Sequence, residues 1–172
     1  MSNNIAYVSL DPGLHHFGVA LWSFSGELVK AYLAGFEIRV EPKWLYHADE
    51  IAEQIKEEGF DIGHAICEIP QVYSRSKSKG DPNTLVELAC AGASVLSRLR
   101  GIHHVVKPAE WKGQLPKEVI EERCKIHLSN DEQKNIVLPI KSLRHNVWDA
   151  IGIGLFFLEK RVKIRKPPEK KL

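Results

Sequence analysis

The sequence has few cysteines and no long apolar run. Its three cysteines, Cys67, Cys90 and Cys124, stand far apart without Cys-x-x-Cys spacing, which favours structural thiols over disulfides or a zinc site. The longest apolar run, residues 151–158, is too short to cross a bilayer. The first residues lack a charged region, a distinct apolar segment and a small-residue cleavage site, which argues against secretion. We therefore expect an intracellular protein that does not contact a membrane.

Length and charge predict one domain followed by a basic tail. The chain has 172 residues, of which 44% are hydrophobic and 27% are charged, as in ordinary globular domains. Residues 159–172 contain seven Lys or Arg against two Glu, although the whole chain has a net charge of only +2. We expect a domain over residues 1–160 and a flexible tail over residues 161–172. The tail is either a solvated segment or an arm that binds phosphate.

The hydrophobic pattern predicts three strands, followed by alternating helices and strands. The predicted strands are residues 5–10, 18–22, 27–33, 65–69 and 104–107, and the predicted helices are residues 42–58, 83–98, 116–127, 131–135 and 142–160. Three antiparallel strands followed by parallel strands with crossover helices are typical of the ribonuclease H-like fold. We therefore predict an α/β fold with a five-stranded mixed sheet flanked by helices.

Three acidic residues stand where a charge is unexpected. Asp11 ends the first predicted strand, although an Asp before Pro-Gly is also common in plain turns. Glu68 lies inside an apolar run, where burying a charge costs several kcal/mol unless a partner compensates it. Asp149 is flanked by apolar residues on the last predicted helix. A structural salt bridge explains any one of them, but three carboxylates that meet are better explained by metal ions.

Hard divalent cations such as Mg²⁺ prefer oxygen ligands, so three carboxylates and a fourth ligand suffice for a metal site. Two such ions about 3.5 to 4 Å apart can stabilise both the attacking and the leaving oxygen in phosphodiester cleavage. His145 and Asn146 precede Asp149 by four and three residues, so both fall on its face of the helix. Either one is a candidate for the fourth ligand, and His145 is also a candidate for proton transfer.

The loop after Glu68 has the composition of a DNA contact. Residues 70–80 are polar and basic, with Arg75, Lys77 and Lys79 spaced to reach phosphates. Tyr73 is suited to stacking on an unpaired base. A solvated, flexible loop has a similar composition, and DNA contact is favoured because this loop starts directly after the buried carboxylate.

A second basic segment follows the fifth predicted strand. Lys107 and Lys112 flank the end of that strand and are expected to face the same cleft, where they would contact a phosphate or stabilise charge in a transition state. Trp111, between them, is equally well explained by packing.

Three motifs together resemble the RuvC family of Holliday-junction resolvases, particularly the short forms found in phages. They are Ser-Leu-Asp-Pro-Gly at residues 9–13, Ile-Cys-Glu at residues 66–68, and His-Asn-Val-Trp-Asp-Ala-Ile-Gly at residues 145–152. The resemblance implies catalysis by Asp11, Glu68 and Asp149, two bound Mg²⁺ ions with Mn²⁺ as a possible substitute, and a homodimer that cuts four-way DNA junctions. It also implies the cytoplasm of a bacterium or a phage-infected host. Members often carry Asp or His three residues before the last Asp, where this chain has Asn146, so the fourth ligand stays open.

Alternative interpretations of the sequence differ from a junction-cutting nuclease in the substrate or in the class of protein. A nuclease of the same fold that acts on RNA, flaps or duplex DNA would use the same metal site. An ATP-binding kinase of a related fold would need a second glycine-rich phosphate loop, and the sequence has none. A DNA-binding module without catalysis would not need all three acids. We therefore expect a crossover junction endodeoxyribonuclease.

Overall fold

The computed structural model describes residues 5–35, 43–71, 81–113 and 115–166. Five strands form one sheet in the order β3-β2-β1-β4-β5. They are β1 (Ile5–Asp11), β2 (Phe17–Ser23), β3 (Leu28–Ala34), β4 (His64–Glu68) and β5 (Ile102–Val106). The first three strands pair antiparallel, whereas β1 with β4 and β4 with β5 pair parallel. The predicted mixed sheet of the ribonuclease H-like fold is therefore confirmed.

Helices cover both faces of the sheet. They are α1 (Lys43–Glu57), α2 (Pro82–Arg98), α3 (Pro108–Trp111), α4 (Lys117–His127), α5 (Asn130–Lys134) and α6 (Arg144–Phe156). Apolar residues of α1 and α2 form one core with the sheet, and those of α4 and α6 form a second core on the opposite face. No helix among the described residues has both the length and the apolarity that crossing a membrane requires.

The last helix and the short α3 differ from the prediction. The predicted helix over residues 142–160 is divided into a 3₁₀ turn (Lys141–Leu143), α6 and a π-helical turn (Phe157–Arg161). The hydrophobic period continues through both junctions, so the pattern did not reveal the change in hydrogen bonding. The helix α3 was not predicted, because four residues are too few to show a period.

The helix α6 lies in direct contact with β1 and β2. Gly18 on β2 makes this approach possible, because a Cβ atom there would lie 1.8 Å from the carbonyl oxygen of Asn146. The buried hydroxyl of Ser9 on β1 donates a hydrogen bond to the carbonyl of Ala150 (2.8 Å) and accepts one from Trp22 Nε1 (2.8 Å). These contacts fix the position of α6 on the sheet.

An ion pair joins the C-terminal segment to the domain. Arg165 bonds both carboxylate oxygens of Glu132, at 2.5 and 3.0 Å, and both side chains are nearly buried. Glu132 also accepts hydrogen bonds from the backbone N–H groups of Leu28 and Ser129 (both 2.8 Å). Arg165 is thus docked on the domain, although it belongs to the segment expected to be flexible. The boundary at residue 160 stays a prediction.

This ion pair predicts a loss of stability in acid. Burial alone would raise the pKa of Glu132, but the bonds from Arg165, Leu28 and Ser129 outweigh it and lower the pKa to about 2. Because the unfolded carboxyl titrates near 4.5, the pair should stabilise the protein fully above that pH. The stabilisation should disappear as the pH falls toward 2.

Glu132→Gln should therefore lower the free energy of unfolding by about 3 kcal/mol at pH 7 and flatten its pH dependence between pH 4.5 and 2. Urea unfolding followed by circular dichroism at several pH values would measure both effects. Asp131→Asn is the matched control, because that neighbouring ion pair with Lys134 is exposed and should contribute little. Equal effects of the two substitutions would contradict the assignment.

Candidate active site

The three predicted carboxylates come from three separate elements. Asp11 is the last residue of β1, Glu68 is the last residue of β4, and Asp149 lies on α6. Because β1 and β4 are parallel and pair Leu10 with Cys67, their carboxyl ends lie side by side. Asp11 and Asp149 are only 7% and 6% exposed, and Glu68 is partly buried. These burials are unusual for acidic residues and require nearby positive charge or hydrogen-bond donors.

Lys112 supplies that positive charge. Its Nζ lies 2.9 Å from Asp149 Oδ2 and 3.3 Å from Glu68 Oε2, and its side chain is only 22% exposed. Asp11 lies close enough to act on the same ammonium electrostatically. Lys112 is therefore the cation around which the carboxylates are arranged. Its predicted contact with DNA stays a prediction, and the structure gives it acidic partners within the protein.

Trp111 holds the second carboxylate. Its Nε1 donates a hydrogen bond of 2.6 Å to Glu68 Oε2, the same oxygen that faces Lys112. The Lys112 ammonium also lies over the indole ring, 4.7 Å from its centroid. Trp111 therefore positions both members of the ion pair. The sequence showed only an aromatic residue beside a lysine, and its role as a donor depends on the tertiary fold.

The surroundings of this site raise the pKa of both Glu68 and Lys112. Burial raises the pKa of Glu68; Lys112 and the Trp111 hydrogen bond oppose that effect, and Asp149 adds to it, so that the pKa stays above its usual value. Burial alone would lower the pKa of Lys112, but Asp149, Glu68 and Asp11 outweigh it and raise the pKa. The ammonium therefore stays charged at neutral pH while it faces the carboxylates.

The turn after β5 places Trp111 and Lys112 at the site. Pro108 starts α3, a position where its missing N–H is harmless, and the Glu110 carboxylate accepts a hydrogen bond from the Lys107 backbone (2.7 Å). The Lys112 N–H then closes the turn on the Pro108 carbonyl (3.0 Å). This single turn reverses the chain, so that Trp111 and Lys112 reach α6 and the end of β4.

Gly152 on α6 makes room for the Trp111 ring. A Cβ atom at Gly152 would lie 2.4 Å from Cζ3 of Trp111, far inside van der Waals contact. The indole therefore lies directly against the α6 backbone, one turn after Asp149. A glycine inside an apolar helix was the only sign of this contact in the sequence.

The other predicted ligands lie in the first turn of α6. His145 and Asn146 are both partly buried and precede Asp149 by four and three residues. The Asn146 carbonyl faces Gly18, the residue paired with Asp11 across β1 and β2. The first turn of α6 is therefore close to the end of β1, and the choice between the two ligands stays open.

The predicted DNA contacts are only partly within the described residues. Tyr73, Arg75, Lys77 and Lys79 lie outside them. Lys107 is exposed and directly follows Val106, which pairs with Glu68 between β4 and β5. The two segments that carry the predicted basic residues therefore start side by side at the edge of the sheet that bears Glu68.

The donor chemistry of the site fits a divalent cation. Three carboxylates supply hard oxygen ligands, and two of them already face one positive charge. Within the described ranges, however, no three acidic, histidine or cysteine side chains are placed to hold one metal ion. The Lys112 ammonium lies between two of the carboxylates instead. A metal ion that bound both would take the place of that ammonium.

Comparison with known proteins identifies the fold through structure. The sequence matches no family model, and no curated protein matches it. A Thermus thermophilus RuvC structure in complex with a Holliday junction substrate is 16% identical and has a TM-score of 0.61. The match covers 96% of this chain and 100% of that chain. A second Thermus thermophilus RuvC structure is 14% identical, with a TM-score of 0.55, and the match covers 94% of this chain and 99% of that chain. The yeast mitochondrial Holliday junction resolvase is 8% identical, with a TM-score of 0.57, over 95% and 84%. The resemblance to RuvC is thus confirmed for the fold.

The contact between Trp111 and Gly152 can be tested by a double-mutant cycle. Gly152→Ala should lower the free energy of unfolding by about 1–3 kcal/mol, because the new methyl group meets the indole and overpacking exceeds the gain in helix propensity. In a Trp111→Ala background the same substitution should cost little or should stabilise the protein. Denaturant unfolding of the four proteins would measure the coupling.

Gly154→Ala is the matched control for this cycle. Its new methyl group would meet Trp22, 2.3 Å from Nε1, so its cost should be the same with and without Trp111. If Gly152→Ala costs as much without Trp111 as with it, the indole does not lie against Gly152.

Proposed function

We propose that this protein is a metal-dependent endonuclease that resolves four-way Holliday junctions in DNA. The observation that carries the proposal is that Glu68 at the end of β4 and Asp149 on α6 face the Lys112 ammonium, on which Asp11 at the end of β1 also acts electrostatically. The fold is that of RuvC, one structure of which was solved with a Holliday junction substrate. Fold and site chemistry together favour phosphodiester hydrolysis on branched DNA.

Asp11, Glu68 and Asp149 would hold the metal, and His145 or Asn146 would complete the ligand set. Two bound Mg²⁺ ions, or Mn²⁺ in their place, would supply Lewis-acid stabilisation of the attacking and leaving oxygens. Trp111 keeps the Glu68 carboxylate oriented through its hydrogen bond of 2.6 Å. His145, one turn before Asp149, is the candidate for moving a proton to or from water at the cleft.

Basic residues beside the carboxylates would bind the DNA backbone. Lys107 is exposed next to the end of β4, where the loop with Arg75, Lys77 and Lys79 begins. A buried acidic cluster repels phosphate, so basic residues at its rim are needed to bring DNA close to it. Tyr73 in the same loop would stack on a base exposed at the junction centre.

The reaction should depend on all three acids and on DNA shape. With Mg²⁺, the protein should cut a four-way junction faster than a flap, a linear duplex or an RNA–DNA hybrid. Asp11→Asn, Glu68→Gln and Asp149→Asn should each lower the junction cleavage rate by about 100-fold or more, because each removes a charged oxygen ligand. Gel analysis of labelled substrates in single-turnover reactions would measure these rates.

Asp131→Asn is the control, because it removes an exposed carboxylate outside the site and should leave cleavage unchanged. Undiminished cleavage by Asp11→Asn would exclude the proposed site. Equal rates on junction and linear duplex would retain a nuclease but exclude junction resolution.

Resolution of a junction requires two cuts, and each chain provides one cluster of the three acids. We therefore extend the proposal to a homodimer with two active sites. Sedimentation equilibrium should give twice the mass of the 19.5 kDa chain for the protein alone, or two chains plus one junction for the complex with DNA. A mixed dimer of wild type and Asp11→Asn should nick a junction on one strand only. A single chain bound to the junction, with both strands cut, would contradict this assembly.

A further inference from the structure

Lys112 is placed inside the acidic cluster, away from the basic surface. Its Nζ lies within 2.9 Å of Asp149 and 3.3 Å of Glu68, and about four fifths of the side chain is covered. The α3 turn and the Trp111 ring fix this position from two sides. Held this way, the ammonium directs two of its three donors to carboxylates of the protein.

The ammonium has a physical reason to be there. Two carboxylates on neighbouring elements repel each other, and burial strengthens the repulsion because less water screens it. The Lys112 charge compensates both, and its contacts also align their oxygens. Lys112 therefore supplies positive charge at the place where a metal ion bound to both carboxylates would lie.

A divalent ion and this ammonium compete for the same carboxylate oxygens. Mg²⁺ binds carboxylate oxygens at about 2.1 Å. An ion that bound Glu68 Oε2 and Asp149 Oδ2 on the side where Nζ lies would occupy the space of Nζ, against a like charge. In that position one cation leaves when the other enters. The lysine can leave because its side chain is long and flexible.

We propose that Lys112 is a resident counter-ion that holds Glu68 and Asp149 in place without metal and is displaced when a divalent ion binds. This inference rests on the proposed metal-dependent function and adds a regulatory step to it. Once displaced from the two carboxylates, the ammonium becomes free to contact the phosphate of DNA bound in the cleft. Binding of the metal ion and contact with the phosphate are then coupled through the Lys112 side chain. The affinity of the site for the metal ion is limited by competition with the Lys112 ammonium.

The competition can be measured without DNA and without catalysis. Isothermal titration of the full chain with Mg²⁺, and separately with Mn²⁺, should show affinity for Lys112→Met that is about tenfold tighter than for wild type. Lys107→Met is the matched control, because it removes the same charge from the same segment but from an exposed position. Its metal affinity should change much less. Equal or weaker binding by Lys112→Met than by Lys107→Met would overturn the proposal.

The same variants should differ in stability in a metal-dependent way. Without metal, Lys112→Met should unfold several degrees below wild type, because two carboxylates lose their counter-ion. Saturating Mg²⁺ should remove most of this difference. A purely structural lysine would give the same deficit with and without metal, and that result would overturn the proposal.

A third measurement uses only the wild-type protein, so it does not depend on the folding of a variant. An amine-reactive succinimidyl ester should label Lys112 slowly in EDTA, because its amine is buried and paired. Added Mg²⁺ should accelerate labelling of Lys112 several-fold and leave Lys107 unchanged, as quantified by peptide mass spectrometry. If the protein binds Mg²⁺ and cuts junctions but Lys112 labelling does not change, the displacement of Lys112 is wrong and the proposed function still holds. Absence of metal binding and of cleavage would overturn both proposals.

Discussion

The close contact of α6 with β1 and β2 is the constraint on which the site depends. Gly18 lets the α6 backbone reach the sheet, and the Ser9 hydroxyl binds the Ala150 carbonyl next to Asp149. Because Gly18 pairs with Asp11, this contact lies at the end of the strand that carries the first carboxylate. A larger residue at Gly18 would separate the helix from the sheet, and with it Asp149 from Asp11. The packing of α6 against the sheet therefore also determines the geometry of the site.

The packing of α6 on the sheet buries negatively charged carboxylates, which costs free energy. The short helix α3 presents the groups that compensate this cost. Asp11 and Asp149 are nearly buried, and Glu68 keeps a raised pKa because of its own burial. Trp111 and Lys112, presented by α3, donate a hydrogen bond and an ammonium to this cluster. A compensation that consists of a flexible lysine can be withdrawn, whereas an apolar replacement would abolish the charges. The lysine thus compensates the carboxylates while it keeps the negative charges that the proposed metal site needs.

The sequence predicted the sheet and the three acids because both leave local signals. A charge inside an apolar run, as at Glu68, stands out without any knowledge of the fold, and strand order limits which ends can meet. Trp111 and Lys112 left no such signal, because their partners are 43 and 37 residues away along the chain. Their inward direction also depends on α3, a helix too short to show a period. Lys112 was expected to face the cleft, but the sequence did not reveal that its ammonium lies close to both Glu68 and Asp149.

The same reasoning explains why the fourth ligand could not be chosen from the sequence. His145 and Asn146 lie about 40° and 60° to either side of Asp149 around the helix, so the helical period places both near its face and does not decide between them. The tertiary contact of the Asn146 carbonyl with Gly18 fixes the backbone of this turn against β2. A backbone fixed in this way leaves only side-chain rotation to select the ligand. Under the proposed metal binding, displacement of Lys112 would change the charge that both side chains face.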